Sequence, residues 1–432
     1  GASYTNTVTL IATNTFSGSI TVSDGVLVLK NSGALGSGTK AVTIANNADG
    51  ARPSIRLDGT DGDLDIPSSV SWNTSNAKEG ALVNVAGTNT LRGNFTLQGG
   101  DGDTWLISRV GKLTLTGNFT ANTTQRKLGL RGDADGEISG VIANGSTPDL
   151  PVYKNEGAGT WTLSGANTYA GYTEVSAGAL EISGSGRIAS SSELRISNGA
   201  TFRARNTSSA SHADRLKDTG PVKLSGGTFD FAGDGGSYSE TAGALTLLSG
   251  SNSVAVAPSS SLAFAGFSVA AGATVDFSLG AGAHLFLDGQ PEGLIGYFAT
   301  ANGALAYYSL TDGVIPSPAV AIAAKGDTVP NAAGTVAITT EGSGGPNELS
   351  VPVTTVGALL HVARAGGNPY FVTVGVRAEA LAKIDLNIRD GRLIAPGATD
   401  EVMLGVRAAD KLNAGVGETV ELDRLTYTVV GI

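Results

Sequence analysis

The 432-residue chain has no cysteine, one methionine and three histidines. Without thiols it can form no disulfide, no thiolate metal site and no cysteine nucleophile. Charge is also scarce. Asp, Glu, Lys and Arg make up 15 % of the residues, against roughly 25 % in an ordinary soluble domain. The balance is acidic, with 28 basic and 38 acidic side chains and a net charge of −10. No basic stretch could neutralise a run of phosphates, which excludes nucleic acid as a partner. No run of ~18 apolar residues occurs, so no transmembrane helix is expected. The chain opens on Gly1 with no charged-then-apolar leader behind it, which reads as a processed mature form or a cut piece of a longer chain.

What is abundant is glycine, 62 residues of 432, roughly twice the usual ~7 %. The glycines have no three-residue period, so collagen is excluded. Small and branched aliphatics are plentiful and charges few, the reverse of a disordered composition. Over residues 1–315 short alternating segments recur between Gly, Asn, Ser and Asp, as in Thr7–Ile11, Ile20–Val22, Val26–Leu29, Leu113–Thr116 and Leu180–Ile182. This is a period-2 strand pattern bounded by turn formers, and almost no stretch holds a helical pattern over three turns.

Internal repetition narrows the architecture. Asn14–Leu29 and Asn167–Ile182 agree at seven of sixteen positions, and an aromatic, Phe16 or Tyr169, follows the Asn-Thr pair in both. Weaker echoes occur at Asn89–Leu97 and Gly117–Thr120. Short strands recurring with Gly and Asn corners are what a stacked β-coil requires, because the corner must tolerate positive φ and the inward residue must fill the stack. Phe16, Phe119 and Tyr169 are expected to be such stack-filling residues.

Gly157–Leu180, preceded by Ile138-Ser139-Gly140-Val141-Ile142, resembles the autotransporter-associated β-strand repeat, or passenger-associated transport repeat. Ala213–Leu216, Val222–Phe229 and Glu240–Leu247 are similar to the large repetitive surface proteins that carry it. The resemblance covers residues 130–310 well and 1–130 loosely. It implies a right-handed parallel β-helix (solenoid), exported and displayed at a bacterial cell surface, and it implies no catalytic activity. Autotransporters carry a C-terminal membrane barrel, and no series of ~10-residue lipid-facing strands with aromatic girdles is found in this chain.

Composition changes near Pro346. Residues 241–346 hold one Lys, no Arg and six Asp or Glu, whereas residues 347–432 hold eight basic and ten acidic residues. The division expected is a β-helix over 1–315, a linker over 316–346 and a small α+β/β domain over 347–432, serving as a cap or an assembly module. Arg377–Lys383 and Arg407–Leu412 are helix candidates there, alternating with strands such as Tyr370–Val374, Glu418–Leu422 and Leu425–Val430. Gly391–Gly405, Ala409–Leu412, Val416–Val420 and Val429–Ile432 resemble the extracytoplasmic core domain of MacB-type ABC-transporter permeases, which implies a protein-contact module.

Chemistry-bearing motifs are few. Asp58, Asp61, Asp63 and Asp65 gather four carboxylates in eight residues, oxygen ligands of the kind that suit calcium. The EF-hand spacing fails, and solvated Asp-Gly turns are the plainer account. Asp101 with Asp103, Asp133 with Asp135 and Glu137, and Asp230 with Asp234 are the paired carboxylates to test for glycan cleavage. His212, His284 and His361 have no partner at metal spacing. Arg131-Gly132-Asp133 is an integrin-type tripeptide, and Asn94, Asn118, Asn122 and Asn206 begin Asn-x-Ser/Thr sites. The expectation is therefore no catalytic residue, and no cofactor unless calcium. The chain reads as a non-enzymatic, extracellular structural protein that self-assembles into a filament, sheet or surface layer, a homo-polymer. A monomeric adhesin or passenger that binds surface glycans is the alternative, and a polysaccharide-cleaving enzyme the third reading.

Overall fold

The computed structural model describes residues 6–45, 53–75, 80–99, 102–296, 298–317, 359–363, 371–375, 388–395, 398–422 and 425–432. They fall into two compact units, one within residues 6–317 and one within 359–432. The first is a parallel β-solenoid of about 13 turns. Each full coil crosses three sides. Side A is a sheet of twelve parallel strands from Thr7–Leu10 to Phe267–Val269. Side C runs from Asp65–Ile66 to Ala299–Ala301. The third side begins with Ile20–Val22 and is taken over by strands such as Ser239–Ala242 and Ser261–Phe264. Thr7 pairs with Val26 and Lys40 with Val70, so a coil takes from 19 to 30 residues.

The alternation in the sequence is the alternation of inside and outside. In Thr201–Asn206 and Ser251–Val256 every second residue is buried. The inward ones stack on their counterparts one coil away. Trp72, Phe95 and Phe119 form one such column, with ring centroids 5.9 and 4.4 Å apart and planes within 13° and 1°. Phe202 and Phe229 stack likewise on side C, and Phe264 from the third side meets Phe229 edge-on. Each buried ring contributes about 1.5–3 kcal/mol of burial, and each coil closes over the apolar face of its neighbour.

Of the three aromatics expected to fill the stack, Phe119 and Tyr169 do so. Phe16 does not. Its ring is 41 % exposed, with the Lys40 ammonium 4.5 Å above it. Phe16 lies in the first coil, and among the described residues no coil precedes it to pack on its outer side.

The turn from side A to side C is made by glycine in coil after coil. Gly87, Gly111, Gly132, Gly157, Gly178, Gly199, Gly226, Gly250 and Gly272 all sit there with φ between +61° and +112°. Positive φ alone favours glycine, and at most of these corners the neighbouring coil adds a steric demand. A Cβ on Gly132 would lie 1.7 Å from the Ser108 carbonyl oxygen, and one on Gly111 2.1 Å from that of Gly87. Buried polar side chains complete the corner. Asn252 accepts from the N–H of Gly226 (2.7 Å) and donates to the carbonyls of Gly250 (3.0 Å) and Thr274 (2.9 Å). The inward-pointing Lys154 donates to the carbonyls of Glu156 and Gly157 at 2.6 Å, and burial pulls its pKa down to about 8.

The two ends differ. At the N-terminal end, Thr7–Leu10 pairs only with Val26–Leu29 and leaves its outer edge open among the described residues. At the other end the chain reverses. Ala304–Ser309 runs antiparallel to Ala299–Ala301 and to Gly313–Pro316, which ends the parallel stacking on two of the three sides.

In the second unit, Leu425–Gly431 lies between Glu401–Met403, parallel to it, and Thr419–Leu422, antiparallel. The helix Val406–Leu412 ends at Asn413, whose φ of 49° is the left-handed cap conformation. Leu404, Ala409, Val420, Leu422 and Val429 make its core. Arg392 grips Glu401 at two points (2.8 and 2.6 Å) and holds its pKa down at about 2. Leu359–Ala363 and Phe371–Gly375 form an antiparallel pair. The helix candidate Arg377–Lys383, Tyr370 and most of the 316–346 linker lie outside the described residues.

The glycine corner makes a paired prediction. Gly132→Ala adds a backbone clash to left-handed strain and lowers unfolding stability by about 2–5 kcal/mol. Gly199→Ala, at φ +76° with nothing within 4 Å of its Cβ, costs only about 1–2 kcal/mol. Urea unfolding of the two variants reads the difference, and equal losses would contradict the stacking argument.

Candidate functional site

The four aspartates of the acidic segment are all engaged, two of them by one lysine. Lys30 sits 3.7 Å from Asp58 and 2.7 Å from Asp61. Asp58 also accepts the Thr60 hydroxyl at 2.7 Å, which with Lys30 keeps its carboxyl below the usual range. Asp63 accepts the N–H of Thr88 (2.7 Å), and Asp65 is bound at two points by Arg92 (2.7 and 2.9 Å). Among the described residues no group of three or more His, Asp or Glu side chains is placed to share a metal ion.

The paired carboxylates mostly serve the stack. Asp133 and Asp135 accept the N–H groups of Ala158 and Thr160 in the next coil, each at 3.0 Å. Glu137 bridges Lys112 (2.6 Å) and Ser164 (2.8 Å). Asp230 pairs with Arg203 at 2.7 Å, and Asp234 accepts from Ser208 and Tyr238. Asp101 lies outside the described residues. His212 contributes backbone contacts to Asn206, and the His284 ring is stacked on Phe286 beside the Asp312 carbonyl; the His361 side chain is outside the described residues.

The integrin-type tripeptide is part of the coil itself, with Arg131 over an indole, Gly132 in the crowded corner and Asp133 bonded to Ala158. Asn94 and Asn118 likewise tie successive coils, each accepting a backbone N–H from the next coil at 2.9 Å.

The outer surface of side A gathers residues that are far apart in the sequence. Pairing places Trp105 beside Gly129, then Tyr153, Glu174, Arg195 and Lys223 in one row. The missing side chain of Gly129 makes room for the Trp105 ring, since a Cβ there would lie 2.2 Å from it. The Arg131 guanidinium covers the indole at 3.2 Å and Tyr153 meets it edge-on at 5.1 Å. Trp105 and Tyr153 are therefore only 7 % exposed, although both point outward. Burial, and then the Asp103 carboxylate, push the Tyr153 phenol well above its ordinary range.

Next to this cluster is an open hollow of about 480 Å³, lined by Asp103, Gln125, Arg126, Lys127, Thr147, Asp149, Pro151 and Tyr172. Arg195 stacks 4.3 Å from the Tyr172 ring and bonds Glu193, which also pairs with Lys223 at 2.5 Å. Burial opposes ionisation of Glu193, but these two cations win and hold its carboxyl below the usual range. The sequence signal for this face was a spacing of 24, 24, 21 and 21 residues along Trp105, Gly129, Tyr153, Glu174 and Arg195, which no contiguous motif displays.

One buried acid has the raised pKa that often marks a general acid. Glu240 is pushed up by burial to about 7 from 4.5. Its oxygens accept the N–H groups of Arg215 (3.0 Å) and Leu216 (3.2 Å). Arg215 is fully buried and spends its guanidinium on Asn206 and on the carbonyls of Gly184, Gly186 and Ala210. These groups pin the long turn between Asn206 and Pro221. Between pH 4.5 and 7 the folded chain holds a proton on Glu240 that the unfolded chain releases, so this contribution to stability is full below 4.5 and is lost as pH rises through 7. Glu240→Gln should remove that slope. Urea midpoints of both proteins from pH 4.5 to 8 check it, and a pH-independent difference between them would contradict it.

Compared with known proteins, residues 3–29 and 156–182 match the passenger-associated-transport-repeat family, a repeat of autotransporter passengers. No curated protein and no solved structure matches the chain. The two matched segments occupy different sides of the solenoid. In the first, Ile20–Val22 on the third side leads through Gly25 to Val26–Leu29 on side A; in the second, Thr173–Val175 on side A leads through Gly178 to Ala179–Ile182 on side C. What the repeat encodes is a strand, a positive-φ glycine corner and a second strand, within a passenger-like β-solenoid.

Proposed function

We propose that this protein is an exported component of the bacterial cell surface that works by contact, without catalysis, and that its copies assemble through the open end of the solenoid and the C-terminal unit. The observation that carries the reading is the first coil. From Asn6 to Ser23 it contains no charged residue. Val8 is 60 % and Ile11 72 % exposed, and Phe16 lies beside them in sequence with its ring half in solvent. Natural sheets protect an outer edge with charge, proline, a bulge or a cover, and the far end of this solenoid has such a cover on two of its three sides in its antiparallel strand. An uncharged apolar edge is suited to being covered by another chain, and a contact between unlike surfaces extends into a filament when it does not close on itself. The C-terminal unit, whose sequence resembles an extracytoplasmic contact domain, is the surface we assign to the other side of that contact.

The prediction is a concentration-dependent mass above the 43.2 kDa of one chain in light scattering. Val8→Lys combined with Ile11→Glu should return a monomer with an unchanged circular dichroism spectrum. A wild-type protein that stays monomeric at high micromolar concentration would refute assembly.

The hollow on side A favours a second reading, a passenger that binds a ligand along its flank.

A further inference from the structure

We infer that the hollow on side A is a binding subsite for a neutral carbohydrate, with Tyr172 as the platform on which a sugar ring rests. The inference does not depend on whether copies of the chain assemble.

The lining sets the ligand class. Asp103 and Asp149 offer carboxylate oxygens, Lys127 an ammonium and the buried Arg126 a guanidinium, and Gln125 offers both a donor and an acceptor. Tyr172 and Pro151 supply the apolar surface. A phosphate, sulfate or acidic sugar would have to sit against two carboxylates. A polyamine or a basic side chain would have to sit against Lys127 and Arg126. A ring of hydroxyl groups meets both kinds of polar group with its own donors and acceptors, and its C–H face packs on the aromatic and the proline. The volume of about 480 Å³ is in the range of small-ligand clefts, and its openness to solvent suits one or two residues of a longer chain.

The platform is also held in place before any ligand arrives. Arg195 covers one side of the Tyr172 ring at 4.3 Å, and is itself fixed by Glu193 and by Glu174 at 3.7 Å. An aromatic fixed in advance loses little rotamer freedom on binding. Asp103 and Lys127 are register partners on adjacent strands, so the rigid sheet sets their spacing. The polar groups that would read hydroxyls come from side A and from the turns that lead into it.

The test uses the whole chain on an array of neutral, sialylated and sulfated glycans, followed by calorimetric titration of the neutral glycan that binds best. Binding should be confined to neutral glycans, with affinity about millimolar for a short oligosaccharide. Tyr172→Ala should weaken it at least tenfold, Tyr172→Phe about twofold or less, and Asp103→Asn with Asp149→Asn about tenfold. Thermal melts establish that each variant is folded. Should Tyr172→Ala unfold, Asp149→Asn alone carries the test, since its side chain lies in an exposed turn. The inference is overturned if no neutral glycan binds, if sialylated or sulfated glycans bind better, or if the folded variants bind as the parent does.

Discussion

Everything in the solenoid depends on one close approach, that of successive backbones where the chain turns from side A to side C. A parallel stack repeats at the strand spacing of ~4.8 Å, and a turn that sharp must itself stack on the turn of the next coil. The backbone there adopts φ between +61° and +112°, and at Gly111, Gly132 and Gly157 the carbonyl of the coil beneath occupies the place a Cβ would take. Glycine meets both demands. This is why glycine recurs at these corners while the strands between them stay rich in Val, Leu, Ile and Thr. The polar groups exposed by the turn are then met by Asn84, Asn252 and Lys154, which explains buried polar side chains inside an otherwise apolar core.

Much of this was legible in the sequence because it is local. Alternation over three to six residues and Gly-rich boundaries mark strands and corners, and the Asn14–Leu29 and Asn167–Ile182 segments mark a repeated unit. The helix read from Arg407–Leu412 is present as Val406–Leu412, and the strand read from Leu425–Val430 as Leu425–Gly431. What the sequence hid is register. Trp105, Tyr153 and Tyr172 look widely scattered, and only coils of 24, 24 and 21 residues bring them to one flank. Coil length is set by the turns, which vary freely, so no fixed motif announces which outward residues will meet. The same variability explains why matched repeats lie on different sides of the solenoid. Phe16 and Tyr169, equivalent by alignment, differ in burial for another reason: Tyr169 has a coil on each side, and Phe16, among the described residues, does not.

The charged residues follow the same logic. Read along the chain, Asp133, Asp135 and Glu137 look like an acidic site; in the fold they are ties to the next coil. Read across the coils, Asp103, Lys127, Glu174, Arg195 and Lys223 form a mixed and ordered surface. Carboxylates in a solenoid are best interpreted by their column rather than by their neighbours in sequence.

Register is therefore the central claim, and the absence of cysteine from the chain allows it to be measured without background. Glu174→Cys and Arg195→Cys, 21 residues apart, are side by side on adjacent strands, at a separation of the kind that admits a disulfide. A one-residue slip of either strand would turn one of the two thiols into the core. Mild oxidation followed by mass spectrometry of the proteolysed chain reads the outcome. The account predicts a rapid intrachain disulfide between positions 174 and 195 in the folded protein, lost when the chain is oxidised in urea. A folded double variant in which both thiols stay free, or link only between molecules, would contradict it.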